Sequence, residues 1–154
     1  MRNILLIAVV VLFVGYLFLS TTNTSEHKEN TPKNSKEITT LKLNWGNDYN
    51  TALQIAKKEG KMVYLFIGAD KCIHCDRFKE QTLSNQELIE TMKEDYVLLY
   101  MSRDRDQIPN GFEKYGVPMH YFLTADGNIT AHIQGSRELA GWYDVLDQVD
   151  LMSE

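Results

Sequence analysis

The stretch Met62-Val63-Tyr64-Leu65-Phe66-Ile67-Gly68-Ala69-Asp70-Lys71-Cys72-Ile73-His74-Cys75 decides how the rest of the chain is read. It opens on six consecutive apolar residues, Met62 to Ile67. That run is short and rich in β-branched and aromatic side chains, so it predicts a strand buried on both faces. Gly68-Ala69-Asp70-Lys71 breaks it. From Cys72 the apolar positions recur at helical spacing, with Phe78 in reach of Cys75 and Leu88 in reach of Met92. The two cysteines therefore fall where a buried strand hands over to a helix. A helix start presents unpaired N–H groups and a partial positive charge, and both favour a thiolate over a thiol. Protonated His74 adds positive charge, and Lys71 stands directly before the motif. A lowered thiol pKa is what rapid exchange near neutral pH requires. The i, i+3 spacing puts both sulfurs on one face, close enough for a reversible disulfide. On this geometry Cys72 is the exposed nucleophile and Cys75 the resolving thiol, with Lys71 and His74 tuning them.

Other uses of a single cysteine pair fit less well. A zinc site would need His27, His74, His120 or His132, and none stands at a finger-like spacing. Covalent haem attachment needs His directly after the second cysteine, where Asp76 stands. A purely structural disulfide closing so short a loop gains little chain entropy. Thiolates with an imidazole do suit copper. A copper-binding metallochaperone using Cys72, Cys75 and His120 is thus the alternative from a different functional class. The exchange reading itself needs neither metal nor organic cofactor.

Outward from the motif, Asn47 or Asp48 can cap a helix with Tyr49, Ala52, Leu53 and Ala56 on one face, stopped by Gly60. Ser84-Asn85 is expected to interrupt and re-cap the helical stretch after Cys75. Tyr96 to Met101 reads as a second buried strand, and Gly111 to Tyr115 as one short helix. His120 to Leu123 is a third strand, with His120 on its surface. Ala125-Asp126-Gly127-Asn128 signals a hairpin into Ile129–Ile133. Ser136 is placed as the cap of a last helix, with Leu139, Tyr143, Leu146 and Val149 on one face. Of the neighbours Trp142 and Tyr143, one is expected to pack and the other to be exposed. The first two strands, joined through a helix, should be parallel with a right-handed crossover. The last two form a hairpin, giving a mixed central sheet with helices on both sides. Arg103 to Asp106 reads as a solvated loop, His132 as a surface residue, and Trp45 as the residue pinning the start of the domain to the core.

The whole chain has 154 residues, a net charge of −5 and 44% hydrophobic residues. That excludes a disordered chain and leaves room for one domain with appendages. The acidic balance argues against a nucleic-acid partner. Ile4 to Leu19 carries no charge and follows Arg2, the pattern of a segment inserted with its start in the cytoplasm. No A-x-A-like cleavage site follows it. Residues 1–22 are therefore expected to be a membrane anchor or signal segment, 23–40 a flexible polar tether, and 41–154 the folded domain. The acceptor patterns Asn23-Thr24-Ser25 and Asn128-Ile129-Thr130 are too frequent by chance to carry weight.

Gly116-Val117-Pro118 precedes the third strand. Together with the strand–CxxC–helix unit and the Asp-Gly hairpin, it makes residues from about Leu43 to Leu151 resemble the thioredoxin superfamily. The run CDRFKEQTLSNQELIETMKEDYVLL is similar to the periplasmic thioredoxin-like domains of thiol:disulfide interchange proteins. The resemblance implies an α/β, thioredoxin-like three-layer sandwich with a mixed central sheet, here preceded by an N-terminal transmembrane helix. It implies a cis Val117–Pro118 bond, with Pro118 against the disulfide and Val117 offering backbone hydrogen bonds to a bound peptide. It implies a protein-disulfide oxidoreductase acting on cysteine pairs of substrate proteins and recharged by a membrane redox partner. The implied location is the inner membrane, single-pass, with the C-terminal domain in the periplasm, or the periplasm after signal cleavage. The chain departs from the family in three places. Lys71 stands where Trp is usual, and Ile73-His74 replaces Gly-Pro. Phe66 occupies the position of a buried carboxylate that helps deprotonate the resolving cysteine, so either Asp70, Asp76, Glu80 or water replaces it, or resolution is slow. His74 resembles the oxidising members, whereas the surrounding sequence resembles the reducing ones, which slightly favours a reductase.

Overall fold

The computed structural model describes residues 43–153. The expected anchor (1–22) and tether (23–40) lie outside the described residues. No helix among the described residues is long and apolar enough to cross a membrane.

Helix α1 (Tyr49–Glu59) is followed by β1 (Met62–Gly68), α2 (Ile73–Gln81), α3 (Gln86–Asp95), β2 (Tyr96–Ser102), β3 (Met119–Leu123), β4 (Ile129–Gln134) and α4 (Leu139–Ser153). Local chemistry sets the boundaries. The Asp48 carboxylate accepts the Thr51 N–H at 2.7 Å to start α1, and Gly60 ends it at φ 68°, a left-handed angle that suits glycine. The Asn85 side chain accepts the Leu88 N–H at 2.9 Å and restarts the chain as α3, as Ser84-Asn85 led one to expect.

The sheet order is β2-β1-β3-β4. Strand β1 runs parallel to β2 and antiparallel to β3, and β3 pairs antiparallel with β4. Trp45 packs near Tyr64, Phe66 and Tyr100, while Gly46 bridges to β2 through Gly46 N–H to Leu98 O at 2.8 Å. Alternation along each strand divides the core. Val63, Leu65 and Ile67 face Ala52 and Ala56 of α1, with Leu99, Met119 and Tyr121 beside them. Tyr64 and Phe66 face the other way, toward Phe78, Leu88, Met92, Trp142 and Leu146 on α2, α3 and α4. Three layers result, as expected. Each fully buried aromatic or aliphatic side chain is worth roughly 1.5–3 kcal/mol, against about 0–1 kcal/mol for an exposed ion pair. The two apolar layers therefore hold the fold, and surface ion pairs such as Lys57–Asp126 are secondary.

Four expectations need correction. Residues 111–115 form no helix; the Glu113 N–H instead donates to the Tyr121 hydroxyl at 2.8 Å, which ties this loop to β3. Ser136 does not cap α4, which begins at Leu139, because its hydroxyl donates to the His74 carbonyl at 2.8 Å. The buried face of α4 is Trp142, Leu146 and Val149, with Tyr143 only half-buried. His120 is not on the strand surface. It lies on the same sheet face as Phe66, its partner in β1, and α2 and α4 cover that face, so it is fully buried. Asn85→Ala should cost about 1 kcal/mol, read in urea unfolding as a lower midpoint with an unchanged slope.

Candidate active site at the start of helix α2

Strand β1 delivers the chain to Asp70-Lys71-Cys72 beyond its C-terminal end, in the middle of the sheet, and α2 starts there. Cys72 itself is the cap of α2. Its Sγ accepts the Cys75 N–H at 3.1 Å, and its carbonyl accepts the Asp76 N–H at 3.0 Å. The sulfur thus meets an N–H of the first turn, at the end of the helix where negative charge is favoured. Cys72 and Cys75 are joined by a disulfide with a Cα–Cα separation of 5.2 Å. Cys72 keeps 8% of its surface exposed and Cys75 1%. The difference has the expected order, although Cys72 in this disulfide is less open than an exposed nucleophile was expected to be. Lys71 and His74 are both exposed beside the pair, and Ile73 between the cysteines is 70% exposed.

The stretch Arg103–Asp106 is not a loosely solvated loop. Asp70 Oδ1 accepts the Ser102 hydroxyl at 2.8 Å and Arg105 Nε at 2.7 Å. The Asp70 N–H donates to Asp104 Oδ2 at 2.8 Å. The Ser102 N–H in turn donates to Asp106 Oδ2 at 2.6 Å. These bonds clasp the segment immediately before Cys72 to the end of β2. The sequence alone missed Asp70, Ser102 and Arg105 as one unit because their partners are more than thirty residues apart. On the other side, Ser136 ties the His74 carbonyl to the corner between β4 and α4.

The Val117–Pro118 peptide is cis, as the resemblance implies. Val117 and Pro118 border a groove with His74 and Arg77. The Pro118 carbonyl accepts the Gly135 N–H at 2.8 Å, whereas among the described residues the Val117 N–H and carbonyl make no hydrogen bond.

Phe66, at the position of the missing carboxylate, lies under the Lys79 ammonium at 5.4 Å, and the same ammonium lies 4.2 Å from the Tyr100 ring. Of the three carboxylates offered as replacements, Asp70 is engaged in the clasp and Glu80 is exposed. Asp76 is half-buried in the first turn of α2, next to Cys75. His120 accompanies Phe66 in the core. Its Nδ1 lies 2.8 Å from the Tyr64 hydroxyl, and its ring sits among Phe66, Phe78 and Trp142. Burial holds its pKa down at about 3, with the Gly135 backbone opposing and Arg137 reinforcing the shift. It is therefore neutral at working pH. Among the described residues no group of three or more His, Cys, Asp and Glu side chains is placed to hold a metal ion, so Cys72, Cys75 and His120 do not form such a site.

A family profile described as thioredoxin-like matches residues 44–125, more than half of the 154-residue chain. An uncharacterized protein of Archaeoglobus fulgidus is 31% identical over 61 residues, a match taking in 40% of this chain and 48% of that protein. The chain thus spans about half the length of that relative. Among solved structures, DsbH oxidoreductase is similar with a TM-score of 0.60 at 18% identity, over 77% of this chain and 92% of its own. A thioredoxin from Thermus thermophilus gives 0.57 at 24% identity, over 67% and 84%. The C-terminal domain of Neisseria meningitidis DsbD in the oxidised form gives 0.53 at 18%, over 64% and 89%. At these identities the likeness is one of fold.

The buried imidazole carries a pH signature. Between pH 3 and 6.5 the unfolded chain binds a proton at His120 that the folded chain excludes. Its contribution is complete above pH 6.5 and is lost progressively as pH falls from there to about 3. From pH 6.5 to 5.0, His120→Gln should lose about 2 kcal/mol less stability than the wild type in urea titrations. Equal losses in the two proteins would exclude a depressed His120.

Proposed function

Because this chain belongs to the thioredoxin-like family, we propose that it is a thiol–disulfide oxidoreductase acting on cysteine pairs of other proteins. The observation that carries the proposal is Cys72 at the cap of α2, bridged to Cys75, with His74 between them on the same groove as Val117 and Pro118. In the reducing direction, the Cys72 thiolate attacks one sulfur of a substrate disulfide. The substrate S–S bond breaks, a mixed disulfide forms, and the departing sulfur takes up a proton. Cys75 then loses its proton and attacks the Cys72 sulfur. The second substrate sulfur leaves and is protonated. Two electrons and two protons have passed to the substrate, and the Cys72–Cys75 disulfide remains. A dithiol protein at the membrane would return the pair to its reduced form.

Lys71, His74 and the start of α2 stabilise the Cys72 thiolate in this scheme. Val117 and Pro118 hold the substrate segment beside it. The uncharged run Ile4–Leu19 and the polar tract after it support tethering to a membrane, with the catalytic domain on the extracytoplasmic side. An extracytoplasmic protein with a single internal cysteine pair fits catalytic rather than architectural cysteines.

Insulin reduction by the full chain should proceed with a dithiol donor and be abolished in Cys72→Ser and Cys75→Ser. Turnover that survives both substitutions, or none in the wild type in either direction, would contradict the proposal. The reduction potential of the pair sets the direction: about −270 mV marks a reductant and about −120 mV an oxidant. His74→Pro should make the pair more reducing; an unchanged or more oxidising value would remove His74 from the tuning set.

A further inference from the structure

A groove leads away from Pro118, between α2 and the β4–α4 corner. His74, Val117 and Pro118 border its near part, and Arg137 and Glu138 its far part. Arg77 and Ser136 border both parts, so the two are neighbours along one face. Its walls are tied in two places: the Ser136 hydroxyl donates to the His74 carbonyl at 2.8 Å, and the buried Thr82 hydroxyl to the Arg137 carbonyl at 2.6 Å.

The charge of this groove opposes that of the chain. Two guanidinium groups and an imidazole face one carboxylate, Glu138, on a protein of net charge −5. Arg77 is exposed and makes no hydrogen bond or ion pair among the described residues. Arg137 spends only Nη1, on the Gln134 and Ser136 carbonyls at 3.3 and 3.0 Å. That anchors its guanidinium at the corner, and its other nitrogens make no hydrogen bond among the described residues. A guanidinium fork matches a carboxylate in shape and charge. Arg77 lies five residues along α2 from Cys72. At a rise of ~1.5 Å per residue the offset along the helix axis is about 7.5 Å, the length of two to three extended residues, and Arg77 shares one helix face and the near part of the groove with His74, three residues before it.

We propose that Arg77 and Arg137 select substrates carrying Asp or Glu within about three residues of the reactive cysteine. The inference rests on the exchange reading above and names the substrate class for that same site.

The test uses the reduced full chain and two disulfide-bonded peptides, identical except for an Asp-Glu or a Lys-Arg pair within three residues of one cysteine. Second-order rate constants for peptide reduction are compared. The acidic peptide should react roughly three- to tenfold faster, in line with one or two partly exposed ion pairs. The preference should shrink with added salt, vanish in Arg77→Gln/Arg137→Gln, and return only in part in Arg77→Lys/Arg137→Lys, which restores the charge without the fork. Equal rates, a faster basic peptide, or a preference that survives the double Gln variant would overturn the inference and leave the exchange reading standing. No cysteine-dependent reaction with either peptide would overturn both.

Discussion

Strand β1 is the constraint on which the remainder depends. It is paired on both edges, by β2 and β3, and covered on both faces, by α1 and by the α2–α4 layer. A strand so enclosed cannot slip by one residue without exchanging Tyr64 and Phe66 for Val63 and Leu65. Its end is therefore fixed, and so is the place where the chain turns into α2. At that end, a Cβ on Gly68 would lie 2.7 Å from the Tyr100 hydroxyl, so the missing side chain lets the Tyr100 ring close against the strand. The position of Cys72 follows from core packing four residues upstream.

Polar contacts then refine what the core has positioned. The Asp70–Ser102–Arg105 clasp fixes the residues before Cys72, and the Ser136–His74 bond fixes those after it. Neither adds much stability: the neutral Ser136–His74 bond contributes about 1 kcal/mol net, and the solvent-exposed Asp70–Arg105 ion pair about 0–1 kcal/mol. Their consequence is geometric. They hold the first turn of α2, with its unpaired N–H groups, against two structural neighbours, β2 and the β4–α4 corner. A thiolate placed there is stabilised by dipoles that need no rearrangement.

Features set by local rules were legible in the sequence. The buried run Met62–Ile67, the Gly60 stop, the Asn85 restart and the Asp-Gly hairpin each depend on a few neighbouring residues. So did the location of the cysteines at a helix start. What stayed hidden depends on residues far apart in the chain. A strand of five residues buried on both faces gives no alternation, so the side occupied by His120 could not be read. Ser136 reads as a helix cap until the His74 carbonyl, 62 residues away, claims its hydroxyl. The charges of Arg103–Asp106 look self-compensating until Asp70 joins them. The groove between Arg77 and Arg137 exists only once α2 and the β4–α4 corner meet.

The central claim is that the cap position of α2 turns Cys72 into the reactive thiolate of the pair. The measurement closest to it is the pH dependence of alkylation at each cysteine in the reduced full chain, resolved by peptide mapping. Cys72 should react first, with an apparent pKa between about 3.5 and 7.5, clearly below the ~8.5 of a free thiol. A Cys72 titrating at 8.5 or above, or a Cys75 that is alkylated first, would contradict the account.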